Sequence, residues 1–240
     1  MKKFLTLMAF LLIVLLVILE IVLPRTVENI LQEQITKSTA AQAVDIDLSS
    51  SPNAKIALGE IDKVHAAANS GRLGEIDFTN LSLDGEKIKI DIREILFPSA
   101  ELSDKERTDK ILKSVDKLEL HGVINEENLK SFIAKKVDKL ENAEIKITPE
   151  EITATGQIKI LGRTADVDVA GIFIVDSGDI YFRATHLNVK NALLRHVNLD
   201  RFLGELKIVD SKNLPLNLKF DEVELRDGEI LLTAKNSAKE

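Results

Sequence analysis

The chain has 240 residues, 45% of them hydrophobic and 30% charged, which is the balance of a folded protein with a sizeable core plus an appendage. Its formal net charge of −7 disfavours nucleic acid and electrostatic docking on anionic membranes, since both begin with clustered Lys and Arg. There is no Cys, which excludes disulfides, thiolate metal sites and cysteine nucleophiles, and with no Trp, one Tyr and nine Phe the interior is mainly aliphatic.

Lys2 and Lys3 precede an apolar run, Phe4 to Leu23, broken only by Thr6 and Glu20. Twenty helical residues rise about 30 Å, the thickness of a hydrocarbon core. The basic flank stays cytoplasmic under the positive-inside rule. A cleaved leader would end on small residues spaced A-x-A, whereas this run ends Ile21-Val22-Leu23-Pro24. The expectation is an uncleaved single-span signal-anchor over 1–23 and an extracytoplasmic domain over 24–240, held at the cytoplasmic (inner) membrane.

Pro24 suits the first turn of a further helix, with Val27, Ile30, Leu31 and Ile35 as its apolar stripe. Val44, Ile46 and Leu48 then alternate with polar residues and predict a strand ended by Ser51-Pro52. Ile56, Leu58, Ile61 and Val64 predict another stretch with a bulge at Gly59. Ile76 to Leu83 and Lys87 to Ile95, separated by Asp84-Gly85, read as a hairpin. Ser103 and Glu106 have capping-box spacing ahead of a helix through Ile111, Leu112 and Val115.

A strand over Leu118 to Ile124 leads to a helix capped by Asn125. Its apolar face is Leu129, Phe132, Ile133, Val137 and Leu140, and its acids come first and lysines last, matching the helix dipole. A meander follows: Ala143 to Thr148, Glu151 to Ile160, Thr164 to Val175 and Ile180 to Val189. The third of these strands is apolar on both faces, which predicts a central position. A connection containing Leu193, Leu194, Phe202 and Leu203 leads to a last hairpin, Leu214 to Leu225 and Glu229 to Ala234, turning at Asp227-Gly228. No β-α-β rhythm occurs, so the predicted class is α+β: a long curved, mostly antiparallel sheet wrapped on one or two amphipathic helices.

Sequence motifs for chemistry are missing. His65, His121, His186 and His196 have no ligand partners at zinc-motif spacing, and no G-x-S-x-G elbow, P-loop or dinucleotide-binding glycine pattern occurs. Carboxylates such as Asp45, Asp47, Asp166 and Asp168 fall on the polar faces of alternating strands. A glycosidase pair is not removed by counting, but the aromatic platforms usual for sugars are absent. The expectation is a protein that is not an enzyme and uses no metal or cofactor. Its positive feature is a large aliphatic sheet face, which is either a filled core or a smooth pocket for acyl chains; periodicity does not separate the two.

Four stretches carry a family likeness. They are the apolar span running into Leu23-Pro24; Val44-Asp45-Ile46-Asp47-Leu48-Ser49-Ser50-Ser51-Pro52 with Ile56-Ala57-Leu58-Gly59-Glu60-Ile61-Asp62; Asn125-Glu126-Glu127-Asn128-Leu129; and Leu214-Pro215-Leu216-Asn217-Leu218 with Val223 and Asp227-Gly228-Glu229-Ile230. In order and spacing the chain resembles the LmeA-like family of bacterial phospholipid-binding envelope proteins, from about Leu23 to Ala234. The resemblance implies a tubular-lipid-binding-like fold, a phospholipid or other acyl-chain lipid as partner, and a part in envelope lipid or glycolipid homeostasis. It brings no catalytic residues. The alternative is an assembly adaptor of the cell envelope whose sheet is simply packed. For the lipid reading, the inward-facing candidates are Ile88, Ile90, Ile92, Ile152, Ile158, Ile160, Val167, Val169, Phe173, Leu216, Leu218 and Phe220. A slip of one residue in register would turn any of these strands over.

Overall fold

The computed structural model describes residues 2–39, 41–73, 75–97, 110–136, 140–160, 163–189 and 205–236. The chain divides into two compact units. Unit 1 comprises Met1–Asn69 and Ser82–Glu119, and unit 2 comprises Ser70–Leu81 and Leu120–Ser237. The class is α+β, with mostly antiparallel open sheets and few helices.

Unit 1 begins with α1 (Lys2–Val17), a π turn (Ile18–Val22) and α2 (Leu23–Thr39), joined without a break in helical backbone. Among the described residues no helix is long and apolar enough to cross a membrane. With 16 residues α1 rises only about 24 Å. The expected span over 1–23 is therefore not one regular helix, and the cause is local. Glu20 lies in the π turn, and its carboxylate accepts the N–H groups of Asn53 and Ala54 at 3.2 Å each, while Asn53 Nδ2 donates to the Glu20 carbonyl. Widening the helix by one residue fits a site where side chains must be re-aimed.

Past Leu23 the helix changes character. Val27 is fully buried, and Ile30, Leu31 and Ile35 pack on the same core, as their spacing predicts. This α2 lies along β1 (Asp45–Ser49), an end strand of its sheet that pairs antiparallel with residues 63–67. Glu28 Oε1 accepts the Leu48 N–H at 3.0 Å and Gln32 Nε2 donates to the Val44 carbonyl, so side chains one helical turn apart engage the open edge of the sheet.

After a cis Ser51-Pro52 bond, Asn53–Leu58 forms a 3-10 helix where a strand was expected, and β2 (Glu60–Ala68) begins only beyond it. Gly59 is the cap, not a bulge: at φ +78° its N–H reaches the Ile56 carbonyl, and its own carbonyl accepts the Ile90 N–H. The Asp84-Gly85 hairpin is likewise corrected. β5 (Asn80–Ile90) runs straight through it, because a Cβ at Gly85 would sit 2.7–3.2 Å from Ile88, Val64 and Leu118 side chains. That glycine serves close packing. The strand ends at Ile90, and Ile92 opens α3 (Ile92–Leu96), capped by Asp91. The helix expected through Val115 is also shorter: Leu112–Ser114 is β6, paired with β5. Ser103 and Glu106 lie outside the described residues, as do Leu193, Leu194, Phe202 and Leu203.

Unit 2 holds the small ribbon β3 (Gly71–Leu73) and β4 (Ile76–Phe78). It also holds α4 (Glu126–Lys136), which follows β7 (Lys117–Asn125). A second sheet is ordered β12-β11-β10-β9-β8, built from β8 (Leu140–Ile147), β9 (Ile152–Ile160), β10 (Arg163–Asp176), β11 (Asp179–Val189) and β12 (Glu205–Val209). The both-face apolar strand, β10, is at its centre as predicted. β13 (Leu218–Arg226) and β14 (Glu229–Asn236) pair with each other, and β14 lies beside β7. The strands thus form separate open sheets where one long sheet was expected. Short turns at Pro149-Glu150 and Ser177-Gly178 fold β8 to β11 back on themselves, so this meander completes its pairing locally.

Candidate functional site

Unit 2 contains a cleft of about 230 Å³ lined by Leu73, Glu75, Ile76 and Phe78 of the β3–β4 ribbon, Phe132 of α4, Lys207 to Asp210 at the end of β12, Leu214, and Phe220 of β13. Three of the chain's nine phenylalanines meet here. Ile76, Phe78, Phe132, Leu214 and Phe220 are all buried, so the wall is apolar and firmly set.

Each wall has an identifiable anchor. Arg72 pairs with Asp77 across the ribbon, and Lys135 of α4 stands 3.6 Å from the same carboxylate. The Arg72 hydrogen bond is the main reason that the Asp77 carboxyl titrates below its ordinary range. Asn125 Oδ1 accepts the Asn128 N–H at 2.9 Å, starting α4 as its sequence predicts. Glu126 Oε1 then accepts the Ile147 N–H at 2.9 Å, fixing α4 on β8 and aiming Phe132 into the cleft. Phe220 N–H donates to the Gly178 carbonyl at 3.0 Å, tying β13 to the β10–β11 turn.

The mouth is polar. Lys207 Nζ lies 2.6 Å from Asp179 and 3.6 Å from Asp210, with its ammonium 5.6 Å from the centre of the Tyr181 ring. Asp179 also accepts the N–H and hydroxyl of Ser211 at 2.8 and 2.7 Å. Chiefly because of Lys207, the Asp179 carboxyl is held down at about 2, and the Lys207 ammonium is correspondingly raised above the usual lysine range by Asp179. Lys207 and Asp210 of the lining, with Asp179 behind them, form an ion-paired set beside the apolar side chains. Apolar side chains and an ion-paired lysine thus meet at one site.

A second, more open hollow of about 280 Å³ on the β8–β9–β10 surface is lined mostly by polar residues: Asn142, Glu144, Thr155, Gly156, Gln157, Asp166, Val167 and Asp168. Gln157 Nε2 donates to Asp166 at 2.9 Å, which makes this a hydrogen-bonded solvated face. Among the described residues no group of His, Asp and Glu is arranged to hold a metal. His65 Nδ1 lies 2.7 Å from Asp84, and His121 Nδ1 3.3 Å from Thr233.

The twelve residues singled out from sequence divide between the units. Ile88 is buried in the unit 1 core, where Ile90 and Ile92 pack on it, the last from α3 and not from a strand. In unit 2, Ile152, Phe173 and Leu218 are buried, Val167 and Val169 are half-buried, and Val167 borders the polar hollow. Leu216 precedes β13 in a short turn at φ +61°. Ile158 and Ile160 are placed in β9 by their backbone only. Phe220 is the member of the set that lines the apolar cleft. Phe78, Phe132, Ile76 and Leu214 were not singled out. The available signal was the scarcity of aromatics: in a chain that is 4% aromatic, each Phe on an apolar face marks a place where a large side chain is wanted.

No curated protein and no solved structure matches the chain. The profile of one family does, over residues 16–235, which takes in the cleft, its anchors and almost all of both units. The chain belongs to the LmeA-like phospholipid-binding family.

Proposed function

We propose that this chain is a membrane-tethered, extracytoplasmic phospholipid carrier or presenter that binds without catalysis. In this reading an acyl chain enters the cleft between β3–β4, α4 and β12–β13. The observation that carries it is the Phe-walled, apolar cleft in a member of a phospholipid-binding family. Each methylene removed from water contributes about 0.8 kcal/mol, so a short length of tail suffices for several kcal/mol. Envelope lipid homeostasis then follows as a role, with the polar rim excluding the headgroup from the floor.

The tether rests on the N-terminal helix. From Leu11 to Ile18, and again at Ile21 and Val22, the apolar side chains are exposed on every side. A helix apolar all round suits a lipid environment. The 16 residues of α1 and the five of the π turn together rise about 30 Å, a bilayer's hydrocarbon thickness.

One observation favours the assembly adaptor as a second reading: about 230 Å³ lies below the roughly 300–1,000 Å³ common for ligand pockets. The test uses the lack of Trp. In full-length protein carrying Leu73→Trp, bromine-labelled phosphatidylcholine is expected to quench the new tryptophan. Leu206→Trp, at an exposed site on β12, serves as the control and is expected to stay bright. Equal, weak quenching at both positions would favour the adaptor.

A further inference from the structure

Outside the N-terminal helix, the described residues of unit 1 include two large hydrophobic side chains that are mostly exposed, Leu58 at 79% and Phe97 at 78%. Leu58 is the last residue of the 3-10 helix Asn53–Leu58, and Phe97 closes α3, its N–H bonded to the Arg93 carbonyl. These two short helices pack on one another. The first is also fastened to the outer end of the apolar helix, because the Glu20 carboxylate takes the N–H groups of Asn53 and Ala54. Six 3-10 residues rise about 10–12 Å, so Leu58 sits within roughly that distance of the point where the apolar helix ends. The interfacial layer of a bilayer is about 5–8 Å deep on each side, so Leu58 reaches it when the 3-10 helix lies along the surface, and α3, which packs on that helix, carries Phe97 beside it.

We propose that Leu58 and Phe97 form a membrane-contact face that seats unit 1 on the lipid surface beside its own anchor. This inference rests on the tether reading above. The occupant is a lipid surface because the 3-10 helix carrying Leu58 is hydrogen-bonded to the end of a helix whose apolar side chains are exposed, and a helix entering a bilayer brings that surface with it. Charge is consistent with this. Arg25 and Arg93 are exposed on the neighbouring α2 and α3, and a guanidinium on a long stem can reach headgroups while its methylenes lie on apolar neighbours. Leu58 and Phe97 make no net-charge demand, so the seating does not need anionic lipid. The Glu20 clamp fixes the depth: it prevents the 3-10 helix from lifting away from the helix end.

The test exploits the absence of Cys. Full-length chains carrying Leu12→Cys, Leu58→Cys, Phe97→Cys or Asp227→Cys are labelled with an environment-sensitive dye. They are reconstituted in phosphatidylcholine vesicles with and without nitroxide-bearing lipid. The expected result is blue-shifted emission, lost on adding nitroxide lipid, at positions 12, 58 and 97, with aqueous emission at 227. Aqueous, unquenched dye at 58 and 97 beside a quenched dye at 12 overturns the contact face and leaves the tether standing. An unquenched dye at 12 overturns both.

Discussion

At the scale of single residues, two glycines with similar backbone angles separate conformational strain from steric overlap. Gly59 and Gly228 have φ +78° and +76°. A Cβ at Gly228 meets nothing within 4 Å, whereas one at Gly59 would overlap the Ile90 carbonyl oxygen. Gly228→Ala is expected to cost only the left-handed penalty of about 1–2 kcal/mol. Gly59→Ala adds the displacement of a strand end, so a loss of at least about 3 kcal/mol is expected from urea unfolding midpoints. Asp179 gives the second residue-scale test. Its folded carboxyl titrates near 2 against an ordinary 3.8, so the folded state resists its protonation. That stabilisation is fully present above about pH 4–5 and is lost as pH falls toward 2. Asp179→Asn should cost about 1 kcal/mol at neutral pH, a modest figure because the partner Lys207 is solvated. The gap between wild type and variant should then narrow between pH 4 and pH 2; a gap constant over that range would mean that Asp179 acts through packing alone.

At the scale of elements, the edge strand β1 is covered by α2 through two polar side chains. Removing both, as Glu28→Ala with Gln32→Ala, should leave α2 helical because Val27, Ile30 and Leu31 still pack. The Leu48 amide, however, loses its acceptor. Hydrogen exchange at Leu48 should accelerate by roughly tenfold, the equivalent of about 1.4 kcal/mol, and the freed edge should raise the tendency to associate. The same scale shows what was legible in the sequence. β8 to β11 and β13–β14 follow from apolar runs between turn residues, alternating in most strands and apolar on both faces in β10, because a hairpin's partners are its neighbours in the chain. α4 follows from its cap and its charge order. Gly85 and the segment 53–58 were misread because each looks locally like something else. Asp-Gly is a turn signal until Val64, Ile88 and Leu118 fill the space where a Cβ would go, and Ile56 and Leu58 have strand spacing until Glu20 caps the residues ahead of them. The cleft was legible only in parts. Phe132 and the alternating Ile76 and Phe78 could each be read as facing something apolar, but their convergence with Leu214 and Phe220 is set by contacts up to 144 residues apart in sequence, from Ile76 to Phe220. Periodicity carries no information at that range.

At the scale of the whole molecule, the proposed tether turns on the sign and placement of charge. A net charge of −7 gives no general attraction to anionic lipid, so in the proposed reading attachment falls to the apolar N-terminal helix. Lys2 and Lys3 precede that helix, and a chain inserted with them on the cytoplasmic side delivers everything after Leu23 to the opposite face. Orientation is then testable without ambiguity, because no native thiol competes for a probe. Asp227 lies exposed in the β13–β14 turn, far in sequence from the anchor. A membrane-impermeant maleimide is expected to label Asp227→Cys fully in cells with an intact cytoplasmic membrane and an opened outer envelope. Labelling that appears only after the cytoplasmic membrane is permeabilised would put both units inside, and an extracytoplasmic lipid role would be lost with it. The same substitution should leave stability nearly unchanged, since an exposed turn carboxylate has little packing to lose. A labelling difference therefore reads topology and not unfolding. In that topology the acidic exterior is expected to keep the bulk of the chain from adhering to headgroups, so that contact with lipid falls to the apolar surfaces that can accept a tail.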